Sequence, residues 1–133
     1  MQQVFTNSAL IKAKEADVYM YAQESFTQAP SLFITRDFKT NSCILNSNPQ
    51  QSTYNWGTAS LIQWTTDTGK AASGILYKPE NFDSTKKYPM IVYFYEKLTD
   101  NLNRYEAPAP TASRLNITYF VSNGYLVFTP DIS

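Results

Sequence analysis

Two unbroken apolar runs, residues 90–95 (Met-Ile-Val-Tyr-Phe-Tyr) and 125–129 (Tyr-Leu-Val-Phe-Thr), bracket a segment with helical spacing. Runs this apolar and β-prone are expected of strands covered on both faces. Between them, within 111–123, Leu115, Ile117, Phe120 and Val121 make a partial stripe at helical spacing. Thr111 or Ser113 suits its N-cap, and Gly124 suits the residue after its C-cap. Two buried strands joined through a helix form a parallel βαβ unit with a right-handed crossover. The chain is thereby constrained to carry part of a mixed sheet.

Ahead of that unit, 59–65 and 71–77 flank Thr66-Asp67-Thr68-Gly69-Lys70. Asp67 and Gly69 suit a tight turn, which predicts a β-hairpin. Residues 79–87 are expected to be a loop. The first third of the chain is more polar, with short apolar bursts. In 17–23, Val18, Met20 and Ala22 alternate with Tyr19 and Tyr21, the pattern of a half-buried strand. Residues 31–36 form a second candidate strand and 42–45 a third. Residues 25–30 form the turn between the first two, with Pro30 marking the strand start. Residues 9–14 fit a strand or a helical turn. The polar, Pro-containing stretch 46–53 is the best linker, and Trp56-Gly57 begins the next unit. The fold class is mixed, β-rich α/β, divided into 1–54 and 55–133.

Composition narrows the function. Formal net charge is zero and the basic residues are scattered, Lys12, Lys14, Lys86 and Lys87 included. Nucleic-acid binding requires a positive footprint to neutralise phosphates, so it is excluded. The chain holds one cysteine and no histidine. No internal disulfide forms, no cysteine or zinc site is expected, and no metal or organic cofactor is implied. Cys43 reads as a small buried hydrophobe. No run approaches the roughly 18 apolar residues of a membrane helix, and the first residues lack a signal-peptide pattern. There is no Gly-x-Ser-x-Gly around any serine, and the four glycines are too scattered for a phosphate loop. The sequon Asn116-Ile117-Thr118 falls inside the expected helix and reads as coincidental.

The order Gly-Ile-Leu-Tyr-Lys-Pro-Glu-Asn-Phe-Asp from Gly74, Lys87-Tyr88-Pro89 leading into 90–95, and Asn-Gly-Tyr-Leu-Val-Phe-Thr-Pro-Asp ending at Asp131 resembles the opening of the catalytic domain in the prolyl oligopeptidase and dipeptidyl peptidase IV family. The Ala-Asp-Val-Tyr-Met-Tyr and Ala-Pro-Ser-Leu-Phe-Ile stretches, with Asn-Pro-Gln-Gln before Tyr-Asn-Trp-Gly, resemble the last β-propeller strands before that domain. The resemblance implies an α/β-hydrolase opening after propeller-end strands. It places Tyr95 where the family has a tyrosine whose hydroxyl donates to the oxyanion, with Tyr93 a weaker alternative on the same strand face. Glu96 is a weak candidate for orienting a substrate amine, against solvation at a turn. The sequence departs from the family in Glu96-Lys97-Leu98, where a small-residue turn is usual, and in Asp131-Ile132-Ser133, which lacks the Arg of the family's Asp-x-Arg-Gly turn. Asp131 is not the catalytic acid, which comes much later in such chains.

A Ser-His-Asp triad needs an imidazole to take the serine proton, so this chain cannot complete one by itself. The implied reading is an inactive piece of a serine peptidase, secreted or periplasmic in bacteria, whose whole protein cleaves peptides. The alternatives are a β-rich binding module using Tyr19, Tyr21, Trp56 and Trp64 as a stacking surface, or a catalytically dead hydrolase-like domain. A hydrolase sheet of four strands leaves an apolar face and an edge open, which implies self-association.

Overall fold

The computed structural model describes residues 10–110 and 113–132. The chain forms two compact units, one containing the segment through Thr53 with Asn103–Tyr105, the other Tyr54–Leu102 with the segment from Glu106 on.

The first unit is an antiparallel sheet in the order β1-β2-β3-β4, built from β1 (Ile11–Lys12), β2 (Tyr19–Ser25), β3 (Gln28–Thr35) and β4 (Asn41–Asn46). Met20 pairs with Ile34 and Ala22 with Leu32, so the apolar alternation expected in β2 meets a matching set in β3. Tyr19 and Tyr21 lean instead on Phe38 and Phe33, with ring centroids 4.7 and 5.9 Å apart. The β2–β3 turn is only Phe26-Thr27, since Ser25 pairs with Gln28. Pro30 therefore lies inside β3 rather than at its start. It is tolerated because pairing with β4 begins only at Ser31 and the β2 ladder is irregular between Gln23 and Ser25, so no ladder bond is lost to its missing N–H.

Cys43 corrects the sequence reading. It is exposed, because β4 is an edge strand with every residue open to solvent. The expected linker is also tied down. Residues Pro49–Thr53 form a 3-10 turn, the Asn48 side-chain amide donates to the Tyr105 hydroxyl at 2.7 Å, and that of Gln51 donates to the Thr27 carbonyl at 2.8 Å.

The second unit holds β5 (Thr58–Thr65), β6 (Ala71–Lys78), β7 (Met90–Val92), α1 (Ile117–Ser122) and β8 (Leu126–Pro130). The sheet order is β5-β6-β8-β7. β5 and β6 form the expected hairpin, paired from Thr58 with Lys78 to Thr65 with Ala71. β8 pairs antiparallel with β6 and parallel with β7, so β7, α1 and β8 make the expected βαβ unit. Ile75, Val121, Val127, Thr118 and Thr129 are fully buried where α1 lies against β6 and β8. Each such valine or isoleucine contributes about 1.5–3 kcal/mol by leaving water.

The helix is shorter than the periodicity predicts. Ser113 does not cap it, and Thr111 lies outside the described residues. The N-cap is Asn116, whose side chain accepts from the Tyr119 amide at 2.8 Å. Its side-chain amide donates to the Ala107 carbonyl at 3.0 Å, and the Glu106 carboxylate takes the Ile117 amide at 3.0 Å. The sequon asparagine is thus buried and committed to capping. Gly124 closes the other end as expected: its amide bonds the Val121 carbonyl and the Tyr125 amide bonds the Phe120 carbonyl, both at 3.1 Å. That pair of bonds is a Schellman motif, which requires the positive φ of 85° at Gly124.

The run 90–95 is not a strand covered on both faces. β7 stops at Val92 and lies at the sheet edge. Ile91, level with Val127, is half-buried, while Met90, Val92 and Phe94 are exposed. Only the face under α1 is covered. The other face presents Ile62, Trp64, Met90 and Val92 as an apolar surface, with Trp64 leaning on Phe128 at 5.8 Å between ring centroids.

Gly57 sits where a Cβ would meet the Val121 side chain and the Lys78 carbonyl oxygen, at a φ of 103°. Gly57→Ala is expected to destabilise the unit by ~2 kcal/mol or more through clash and backbone strain. Gly124→Ala, which meets nothing within 4 Å, is expected to cost only the left-handed backbone penalty of about 1 kcal/mol. Urea unfolding of the two variants checks the ranking.

Candidate functional site

Tyr95 stands just beyond β7, and its position follows from how the chain leaves that strand. The Tyr93 amide still bonds the Phe128 carbonyl of β8 at 2.9 Å. Past it, Phe94 and Tyr95 turn out of the sheet and are 62% and 76% exposed. The Tyr95 hydroxyl has no hydrogen-bond partner among the described residues, so it is open to an incoming acceptor. Tyr93 remains half-buried. The strand alternation that would set Tyr93 and Tyr95 on one face does not reach Tyr95, because β7 ends first.

Glu96 is exposed and makes no ion pair or hydrogen bond among the described residues. The next residues are anchored. Lys97 pairs with Asp100 at 3.1 Å, across the 3-10 turn Thr99–Asn101. The Leu98 and Thr99 amides both donate to one oxygen of the Asp131 carboxylate, at 2.7 and 2.9 Å. The other oxygen accepts from the Thr99 hydroxyl at 2.6 Å and the Ser73 hydroxyl at 3.0 Å. Partial burial raises the Asp131 carboxyl pKa, but the Thr99 hydroxyl and amide, the Leu98 amide and the Ser73 hydroxyl together outweigh it and hold it below the ordinary aspartate value. Ser73 and Thr99 lie 58 and 32 residues from Asp131, a separation at which no sequence spacing signals the contact.

A shallow hollow of about 510 Å³ adjoins the carboxylate, lined by Ser73, Lys70, Lys97, Thr66 and Asp67 among others. Tyr95 does not line it. Among the described residues no group of acidic, cysteine or histidine side chains is placed to hold a metal ion. No helix among them is long and apolar enough to cross a membrane.

The aromatic residues considered as a stacking platform do not form one. Trp56 is 8% exposed, Tyr19 and Tyr21 are half-buried against other rings, and Trp64, at 37% exposed, is the open member of the four.

Tyr77 marks the contrast with Tyr95. It is buried under α1, and burial pushes its phenol well above the ordinary tyrosine value, with the Glu106 carboxylate adding to the rise and the Thr129 hydroxyl opposing it. A raised folded pKa means that Tyr77 contributes stability below the unfolded value of about 10 and loses it as pH rises through the folded one. Alkaline titration followed at the phenolate absorbance is expected to leave Tyr77 protonated until the chain unfolds. Nitration with tetranitromethane is expected to label Tyr95 ahead of Tyr77, as peptide mapping would show.

No protein-family model matches the chain, and no curated protein does. Solved structures match nearly all of it. AtxE2 isopeptidase is 17% identical, with a TM-score of 0.63 over 95% of this chain and 19% of its own. Dipeptidyl peptidase 4 from Porphyromonas gingivalis is 17% identical, with a TM-score of 0.63 over 93% of this chain and 18% of its own. Acylaminoacyl peptidase from Pyrococcus horikoshii is 14% identical, with a TM-score of 0.64 over 98% of this chain and 20% of its own. The chain thus spans about a fifth of the length of the structures it matches, and its fold is that of a segment shared by peptidases of the prolyl oligopeptidase and dipeptidyl peptidase IV kind.

Proposed function

We propose that this chain is the junction segment of a serine peptidase of the prolyl oligopeptidase family. Residues up to about 54 are the last strands of its β-propeller, and those from about 55 open its α/β-hydrolase domain. The observation that carries this reading is the order of parts. An antiparallel meander precedes a hairpin and a parallel strand pair joined through a helix, and that order matches peptidase structures over 93–98% of the chain.

In the whole protein a serine supplied elsewhere attacks a peptide carbonyl, an acyl-enzyme forms, and water releases it. This segment contributes scaffold and the Tyr95 hydroxyl. As negative charge develops on the scissile carbonyl oxygen, a pre-placed donor stabilises it more than it stabilises the ground state. A hydroxyl with no hydrogen-bond partner among the described residues, just beyond β7, has the chemistry for that role. Glu96, exposed beside it, is available to a substrate amine. A secreted or periplasmic setting follows from the same resemblance. The chain alone carries no imidazole and is inactive on this reading.

Tyr95→Phe in the protein carrying this segment and its complete catalytic domain tests the assignment. Loss of one oxyanion donor is expected to lower kcat by roughly 10²–10³-fold with KM little changed. An unchanged kcat would remove Tyr95 from the site.

The apolar face bearing Ile62, Trp64, Met90 and Val92 and the free edge of β7 supply a surface and a strand for self-association of the isolated chain. Size-exclusion chromatography with light scattering is expected to give a dimer or larger species. A clean monomer that binds little apolar dye would argue against an exposed hydrolase sheet.

A further inference from the structure

Residues 94–97 form a short bridge staked at both ends to one stretch of chain. At one end the Tyr93 amide bonds the Phe128 carbonyl of β8 at 2.9 Å. At the other the Leu98 amide bonds the Asp131 carboxylate at 2.7 Å, reinforced by the Thr99 amide at 2.9 Å and the Thr99 hydroxyl at 2.6 Å. The second stake is itself held. The Asp131 amide bonds the Ser73 carbonyl of β6 at 2.9 Å, and the Ser73 hydroxyl bonds the carboxylate at 3.0 Å. Phe128 and Asp131 are three residues apart, so both stakes stand on β8 and its immediate extension. Tyr95 is the second residue of the bridge.

We propose that Asp131 is a positioning residue: by gripping Leu98 and Thr99, its carboxylate sets where the Tyr95 hydroxyl stands. The functional meaning rests on the reading of Tyr95 as oxyanion donor, whereas the grip itself does not. An exposed aromatic on a loop tethered at one end would sample many positions, and a misplacement near 1 Å costs about 10²-fold in rate. The second tether removes that freedom. The acceptor has to be a carboxylate, because four donors converge on two oxygens and charge-assisted bonds are roughly twice as strong as neutral ones. An asparagine offers one oxygen, and its amide group turns a donor towards donors.

The grip is complete at neutral pH. The folded Asp131 carboxyl titrates below the ordinary aspartate value, so the stabilisation is present above the unfolded value of about 3.9 and is lost as pH falls through the folded one. Lys97, Lys70 and Asp67 line the hollow beside it, and Asp100 is engaged with Lys97.

Hydrogen exchange read at single amides, with nitrogen relaxation on the same chain, tests the proposal. The Leu98 and Thr99 amides are expected to exchange at least ~10-fold more slowly than those of Glu96 and Lys97. Their chemical shifts are expected to move together as the pH falls below about 4. Asp131→Asn is expected to abolish both effects and raise the mobility of residues 94–97, while amides within β6 and β8 keep their protection. Thr99→Val, which leaves the charge in place, is expected to give a smaller loss of the same kind. If Asp131→Asn unfolds the sheet, the titration of the unaltered chain decides the grip and Thr99→Val decides the positioning. Unprotected, non-titrating Leu98 and Thr99 amides would overturn the grip. Released amides with Tyr95 no more mobile than before would overturn the positioning role. Neither result bears on the Tyr95→Phe kinetics, which stand or fall on chemistry.

Discussion

The second unit depends on β8. It is the strand that takes an antiparallel neighbour on one edge and a parallel neighbour on the other. Its buried face, Val127 and Thr129, is level with Tyr77, Ile75 and Ile91 in the flanking strands. α1, capped by Asn116 at one end and Gly124 at the other, lies against that face. A parallel pair cannot be closed by a tight turn, so the crossover that contains the helix is what allows β7 to join β8 at all. Loosening α1 would therefore release β7, and with it the loop that carries Tyr95.

The same strand governs the candidate site from its far end. Phe128 fixes the chain as it leaves β7, and Asp131, one residue past the strand, fixes it again where Leu98 begins the next turn. Chemistry at an exposed tyrosine needs two conditions that usually oppose each other: a hydroxyl free of internal partners and a backbone that does not wander. A short bridge between two anchors meets both. The departure from a small-residue turn at Glu96-Lys97-Leu98 is accommodated in this way, since Glu96 and Lys97 are exposed and Leu98 is half-buried while the backbone amides at Leu98 and Thr99 are held.

The fold was largely legible wherever local rules acted alone. The β5–β6 hairpin followed from Asp67 and Gly69 in the turn, the helix stop from Gly124, and the parallel unit from two apolar runs around a helical stripe. The errors share a cause: position within the sheet is set by tertiary pairing. Residues 90–95 carry the composition of a strand covered on both faces, yet β7 is an edge strand with one face open, so Met90 and Val92 lie exposed. Cys43 sits in an apolar burst, yet β4 is also an edge. Pro30 reads as a boundary, yet an irregular ladder accommodates it inside β3. At the candidate site the sequence pointed to Tyr95 and Glu96 only by resemblance. The Asp131 grip on Ser73, Leu98 and Thr99 joins residues from three separate elements and has no local signature.

The most direct measurement is to read the coding frame beyond codon 133. The account predicts an uninterrupted frame with Gly-x-Ser-x-Gly shortly downstream, followed by an Asp and then a His, the chain order of an α/β-hydrolase triad. A stop at that codon would mean that no triad forms in this chain, and would contradict the reading of the segment as part of a serine peptidase.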